Sequence, residues 1–320
     1  MVLAARLRGA AAIAVAAFAV AGCGDGEGEA IPGAVGGVPG GGTLSYALAG
    51  QARELDPLLA TSRPELLVTR QVHEPLVASL VGPFGDVRRS RGLAIAWRPT
   101  RDREIWSFRL RQGIRFQDGS PLNATAVLAN AERWRTLDAG RELLPELVAA
   151  DAPRPDLVRF FLSSAVSDFP QRLASPRLGI VSPAALRPRS GASARLAAGR
   201  RSGTGPFEFR ESTAGGPIVL AGNTEYWGTR LDLGPALNEL EFEIVPSARE
   251  RLDLLEAGAV QVADELGSVP IERLRANPLV TSERGPGGAV LGLERSVRGI
   301  DSATAIEPLS NVWLTVVGTE

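Results

Sequence analysis

The stretch Trp106-Ser107-Phe108-Arg109-Leu110-Arg111-Gln112-Gly113-Ile114-Arg115-Phe116-Gln117-Asp118-Gly119-Ser120-Pro121-Leu122-Asn123-Ala124 holds a strand, two turns and the start of a helix. Trp106, Phe108 and Leu110 fall on one side of an extended chain, and Ser107, Arg109 and Arg111 on the other, which is the period of a half-buried strand. Gln112-Gly113 predicts a turn, Ile114-Arg115-Phe116 a return to extended chain, and Asp118-Gly119 a second turn. Asn123 stands where a helix N-cap belongs, and Val127, Ala131 and Trp134 recur at helical spacing over residues 124–135. Strand, turn and helix in that order indicate a mixed α/β domain.

The same pattern extends in both directions. Upstream, Leu44, Tyr46 and Leu48 alternate with Thr43, Ser45 and Ala47 as a first strand, and a helix carrying His73 is expected from Glu65 to Ala78. Downstream, residues 157–162, 207–210, 218–221 and 240–245 read as strands. In the last, Leu240, Phe242 and Ile244 alternate with Glu239, Glu241 and Glu243, which form the wet side of a sheet. Ser247 and Glu250 make a capping box that starts a helix burying Leu252 and Leu255 and ending at Gly258, ahead of a short strand over 260–262. The prolines at 153–155 and 183–188 mark surface connections.

Composition narrows the chemistry. The chain has 320 residues, 35 basic and 36 acidic, for a net charge of −1, which does not suit a general nucleic-acid binder. Every basic residue is Arg, so a Schiff-base Lys or a phosphate-loop Lys is excluded. One His and one Cys leave no intrachain disulfide and no His/Cys metal cluster; no metal site and no cofactor are expected. His73 alone reads as a packing or hydrogen-bonding residue rather than a nickel ligand. No carboxylate pair stands out as an acid/base couple, so the expectation is a binding protein without catalysis.

The N-terminus reads as an export signal. Arg6 and Arg8 precede an uncharged, Ala-rich run from Gly9 to Gly22, too short at 14 residues to span a bilayer. Val20-Ala21-Gly22-Cys23 resembles the lipobox of bacterial lipoproteins, so residues 1–22 would be removed and Cys23 lipidated. Nine of the 19 residues from Gly24 to Gly42 are Gly, and this tether over 23–42 would span on the order of 25 Å as a coil. The expected location is extracytoplasmic, anchored to the membrane by the lipid.

Several spaced motifs carry a family resemblance. They are Gly41-Gly42-Thr43-Leu44 with Leu55-Asp56-Pro57, the stretch from Trp106 to Ala124, Gly203-Thr204-Gly205-Pro206-Phe207, Tyr226-Trp227-Gly228, and Leu255 through Val262. Together they resemble the extracellular solute-binding proteins of peptide and nickel ABC importers, family 5. The resemblance implies a type II periplasmic-binding-protein-like, mixed-sheet α/β lobe over 43–320. It also implies capture of a peptide or other small solute for delivery to an ABC permease. Members of that family are longer, so the second lobe is expected to be missing or much reduced, with residues 306–317, including Trp313, returning to the first lobe as a strand. The other readings are a truncated gene product or a surface adaptor lipoprotein without a ligand. In the resembling proteins the loop after the first strand lies at the cleft, which places Thr61, Ser62 and Arg63 at the ligand. Arg63 would pair with a carboxylate in fork geometry, while Thr61 and Ser62 would bond a peptide backbone. The plain alternative is a set of solvated loop residues ahead of a helix beginning near Pro64. Trp106, Trp134 and Trp227 read as core.

Overall fold

Alternation and capping give the chain its elements in the order β1 (Thr43–Leu48), α1 (Arg63–Val72), β2 (Val77–Val81), β3 (Val87–Arg91), β4 (Ala94–Pro99), β5 (Ile105–Leu110), α2 (Ala124–Thr136), α3 (Asp138–Leu143), β6 (Leu147–Arg154) and β7 (Leu157–Leu162). After these come α4 (Phe169–Arg172), α5 (Pro183–Leu186), β8 (Phe207–Ser212), β9 (Ile218–Gly222), β10 (Glu239–Ile244), α6 (Ala248–Ala257), β11 (Val262–Ala263), β12 (Val280–Arg284) and β13 (Val290–Arg295). The computed structural model describes residues 42–81, 87–187, 201–212, 216–231, 235, 237–266, 280–284 and 290–295. The export signal, Cys23, the tether up to Gly41, and the 306–317 segment with Trp313 lie outside the described residues.

Two main sheets form. The larger runs β12-β13-β11-β1-β10-β9-β8, with β1 parallel to both β10 and β11 and the remaining pairs antiparallel. The smaller is an antiparallel sheet in the order β4-β5-β7-β6, and β2 and β3 form a separate hairpin. This is the mixed-sheet α/β class expected from the sequence.

Each face has a core that the alternation dictates. Trp106, Phe108 and Leu110 of β5 and Val158, Phe160 and Leu162 of β7 all point inward, against Trp134 of α2 and Phe169 of α4. Phe108 meets Phe160 edge-on at 5.5 Å and 81°, and Phe160 meets Phe169 at 5.5 Å, geometries that aromatic quadrupoles favour. The Trp106 indole donates to the Val166 carbonyl at 3.0 Å, so this buried ring leaves no polar orphan. Leu44, Tyr46 and Leu48 of β1, with Leu240 and Phe242 of β10, pack on Leu67, Val68 and Val72 of α1. On the opposite side of the large sheet, Ala47 and Ala263 lie under Leu252 and Leu255 of α6.

Both helix caps read from sequence form. Asn123 accepts from the Ala126 N–H at 3.0 Å, and the Ser247 hydroxyl accepts from the Glu250 N–H at 3.3 Å. Gly258 ends α6 at φ 75°, the left-handed conformation that glycine adopts without cost.

Three expectations need correction. The helix expected over 65–78 is α1, ending at Val72, and β2 starts at Val77. Pro75 is the reason: its ring disfavours helical backbone at Glu74 and removes an N–H donor, and His73 has already turned extended at φ −116°, ψ 128°. The strand expected over 260–262 is shifted to Val262–Ala263, because the Gln261 N–H bonds to the Ser45 carbonyl just before the β1 ladder begins. Residues 114–116 form no strand of their own; the extended chain there makes a single bridge between Arg115 and Pro121.

Candidate functional site

The parallel strands β1, β10 and β11 end on the same side of the large sheet, and in open α/β sheets the carboxyl ends of parallel strands form the binding crevice. The chain leaving β1 comes back at this edge as the loop ahead of α1. Ser62 caps α1 through a full capping box. The Glu65 carboxylate accepts from the Thr61 and Ser62 N–H groups, each at 3.0 Å, and from the Glu54 N–H at 3.1 Å. Burial alone would raise the Glu65 pKa, but these backbone donors hold it below the usual carboxylate range. Thr61 and Ser62 are exposed, and Arg63, the first residue of the helix, is half-buried.

Arg63 meets the residues that follow β11. Its Nε donates to Asp264 Oδ2 at 2.8 Å, and Glu265 Oε1 lies 3.5 Å away. The two partners differ in exposure: the Asp264 side chain is 2% exposed and that of Glu265 44%. Asp264 Oδ1 is buried and has no hydrogen-bond partner among the described residues. The Tyr46 hydroxyl lies against this pair; burial first and then the Asp264 charge push its pKa well above the usual value, partly offset by Arg63, so it stays a neutral donor. Behind Arg63, burial and then repulsion from Arg63 bring the Arg70 guanidinium down to about 9, which still leaves it charged at neutral pH. Two guanidiniums, two carboxylates and a phenol therefore converge at one strand edge with balanced charge.

A buried arginine fixes the loop that supplies the acids. Arg251 of α6 is 2% exposed and donates to four carbonyls: Val245 at 2.6 Å and Pro246 at 2.9 Å after β10, and Asp264 at 3.0 Å and Glu265 at 2.7 Å after β11. Glu265 sits at φ 52°, an uncommon backbone for a non-glycine residue, and the Arg251 clamp grips its carbonyl.

The other motif residues form a different structure. Glu74, 4% exposed, accepts from Thr204 Oγ1 at 2.7 Å, Trp227 Nε1 at 2.8 Å and the Tyr226 hydroxyl at 3.0 Å. Burial raises its pKa to about 7, against the pull of those three donors and of Arg111, whose guanidinium lies 4.6 Å over the Trp227 ring. His73 beside it is 1% exposed, bonded through Nε2 to Ser202 Oγ at 2.9 Å, and burial lowers its pKa to about 4. Gly203 and Gly205 pass so close to the end of α1 that a Cβ would lie 1.7 Å from the Val72 oxygen and 2.5 Å from that of Gln71. Asp56 of the Asp-Pro pair is fully buried, ion-paired to Arg133 of α2. These are framework contacts, and Trp227, expected in the core, is half-buried with its indole serving Glu74.

The sequence reading named Thr61, Ser62 and Arg63 but not Tyr46, Arg70, Asp264, Glu265 or Arg251, which the fold brings beside them. One signal was available for Arg251, which lies four residues before the buried Leu255 on the inward stripe of α6.

Residues 90–312 match the family described as bacterial extracellular solute-binding proteins, family 5 middle. The chain is 29% identical over 231 residues to the probable D,D-dipeptide-binding periplasmic protein DdpA of Escherichia coli K12, covering 71% of this chain and 43% of that protein. It is 28% identical over 235 residues to the nickel-binding periplasmic protein of the same organism, covering 70% and 42%. The structure of the PBP AgaA from A. tumefaciens R10 in complex with agropinic acid superposes with a TM-score of 0.67 at 25% identity, over 75% of this chain and 47% of that one. The chain thus spans less than half the length of the curated relatives it matches.

Proposed function

Because the chain belongs to the bacterial extracellular solute-binding proteins of family 5, we propose that it is the substrate-binding component of an ABC importer, taking a peptide or similar zwitterionic solute to a membrane permease without catalysing a reaction. Its fold is the mixed-sheet α/β fold of the type II periplasmic binding proteins. The solute site is the crevice at the carboxyl ends of β1 and β11, with Thr61, Ser62 and Arg63 on one wall and Asp264 and Glu265 on the other. The observation that carries this reading is the charge-balanced cluster itself, in which Arg63 keeps a third of its side chain in solvent above a buried, incompletely bonded carboxylate. A zwitterion complements that arrangement: its carboxylate takes the free side of the guanidinium, its ammonium the exposed acid of Glu265, and Thr61 and Ser62 bond the amide between them. Lipid attachment at Cys23 would hold the domain at the outer surface of the membrane.

A thermal-shift screen with dipeptides, longer peptides and nickel salts tests the solute class, since a ligand that binds the native state raises its melting temperature. A shift with dipeptides that vanishes when their termini are blocked supports the reading, and a shift with nickel alone overturns it. Metabolic labelling with a fatty acid tests the anchor: Cys23→Ser should abolish labelling, and a labelled variant would remove Cys23 from that role.

A further inference from the structure

The segment Val87–Arg115 carries nine Arg, at 88, 89, 91, 98, 101, 103, 109, 111 and 115, against Asp102 and Glu104, a surplus of seven positive charges in a chain whose total is −1. Arg98, Arg101, Arg103 and Arg109 of this segment are exposed, and none has an ion-pair partner among the described residues. Elsewhere Arg135, Arg141, Arg172, Arg201 and Arg210 each pair with a carboxylate, whereas here four exposed, unpaired arginines fall within twelve residues. Asp102 and Glu104 share the turn with Arg101 and Arg103, and Asp102 accepts from the Thr100 hydroxyl and the Glu104 N–H rather than from a guanidinium.

Register places these charges on one surface. Arg98 stands opposite Ser107, and Arg109 opposite Ala96, so the two guanidiniums are diagonal neighbours on the outer face of the β4-β5-β7-β6 sheet. Arg101 and Arg103 occupy the adjoining β4–β5 turn. Arg159 continues the row across from Ser107, with its charge met by Asp151. Between and beside them are small or half-buried side chains, Ala96, Ile105, Ser107, Leu157 and Phe161. Like charges on neighbouring strands repel, so a patch of this kind is better accommodated with an anionic counterpart than without one.

We propose that this outer sheet face docks on an anionic phospholipid surface. A sheet face bearing unpaired guanidiniums complements lipid phosphates, which Arg bonds in a bidentate fork, and the partly buried Ile105, Leu157 and Phe161 add shallow apolar contact. An acidic protein would meet the same charge, but the apolar side chains set between the charges favour a lipid surface, which offers both phosphates and an apolar layer. The proposal rests on the lipid-anchor reading of the proposed function, under which the domain would work at a membrane surface.

The test uses the chain from Gly24 onward, which retains every described element and carries no acyl group. Sedimentation with vesicles of phosphatidylglycerol and phosphatidylcholine should show salt-sensitive binding, with none to phosphatidylcholine alone. Each Arg near such a surface contributes roughly a fivefold gain in partitioning, so R98Q/R101Q/R109Q should bind on the order of a hundredfold more weakly. The control R135Q/R141Q/R249Q removes the same charge elsewhere and should change binding less than threefold; all melting temperatures should stay close to that of the parent. Equal loss in both triple variants, or no binding to anionic vesicles at low salt, would overturn the proposal. Patch-dependent binding to polyglutamate without vesicle binding would overturn it in favour of an acidic protein partner. Because the protein used is unacylated, neither result depends on whether Cys23 carries lipid.

Discussion

Asp264 and Glu74 are both buried carboxylates, 1% and 4% exposed, and they are satisfied in different ways. Glu74 receives three neutral donors, at least one on each oxygen, from a hydroxyl, a phenol and an indole. Asp264 receives one guanidinium that is itself one-third exposed, and its second oxygen is left without a partner among the described residues. A buried acid with its lone pairs occupied by fixed neutral groups ties elements together and has nothing to offer a ligand. A buried acid under a partly exposed cation retains unused hydrogen-bonding capacity, at the strand edge where solutes bind in this class of fold. On the proposed reading Glu74 belongs to the framework and Asp264 to the solute site, and substitutions should separate the two.

The largest expected effect is at Glu74. Glu74→Ala strands Thr204 and Tyr226 as buried donors, each costing ~1–3 kcal/mol when unpaired, and leaves the half-buried Trp227 indole without its acceptor, so a loss of about 4 kcal/mol at pH 5 is expected in urea denaturation. A loss below about 1 kcal/mol would remove Glu74 from the framework role.

Next comes a pH effect in which Glu74 and His73 oppose each other. The folded state holds the Glu74 proton up to about pH 7, whereas the unfolded chain releases it near 4.5, so this residue makes stability fall as pH rises through that window. The folded state refuses a proton on His73 down to about pH 4, whereas the unfolded chain takes one near 6.5, so this residue makes stability rise with pH over nearly the same range. Each is worth about 3 kcal/mol across its window, and together they leave the parent nearly flat between pH 4.5 and 6.5 with respect to this pair. Glu74→Gln should therefore gain stability with rising pH, and His73→Asn should lose it. Parallel pH–stability curves for the parent and both variants would contradict the assigned ionisation states.

Arg63→Ala should cost about 2 kcal/mol. It leaves Asp264 buried without its cation, and the full cost of a broken buried pair is reduced because Arg63 is one-third exposed. Arg63 is thus not the solvated loop residue of the plain alternative, and Arg63→Ala/Asp264→Asn should recover part of the loss. The smallest effect is at Glu265, whose carboxylate is 44% exposed and 3.5 Å from Arg63; Glu265→Gln should change stability by less than about 0.5 kcal/mol while weakening dipeptide binding. Equal affinity in that variant would take Glu265 out of the site.

Much of the framework could be read locally. The alternations at Trp106–Leu110, Leu157–Leu162 and Glu239–Ile244, and the caps at Asn123, Ser247 and Gly258, are short-range signals that tertiary packing reinforces. The strands β4 and β6 were missed because their patterns are interrupted: both carry register shifts, and β6 runs through Pro153, while the start of β2 fell inside the helix expected over 65–78. The proposed site was half legible. Thr61, Ser62 and Arg63 lie at the end of the connection from the first strand to the first helix, but Asp264 lies 201 residues beyond Arg63 and meets it only because β11 pairs parallel to β1. No local pattern announces such a pairing. Nor does composition distinguish a clamp such as Arg251 from the other arginines; only its place on the buried stripe of α6 does.

The most direct test of the account is calorimetric titration of L-alanyl-L-alanine into the parent, Arg63→Ala and Glu74→Gln, at a pH and temperature where all three are folded. The parent should bind, Glu74→Gln should bind within threefold of it, and Arg63→Ala should bind at least tenfold more weakly, a difference of about 1.4 kcal/mol. Equal affinity in the parent and Arg63→Ala, or a loss confined to Glu74→Gln, would contradict the placing of the solute site at the Arg63–Asp264 crevice.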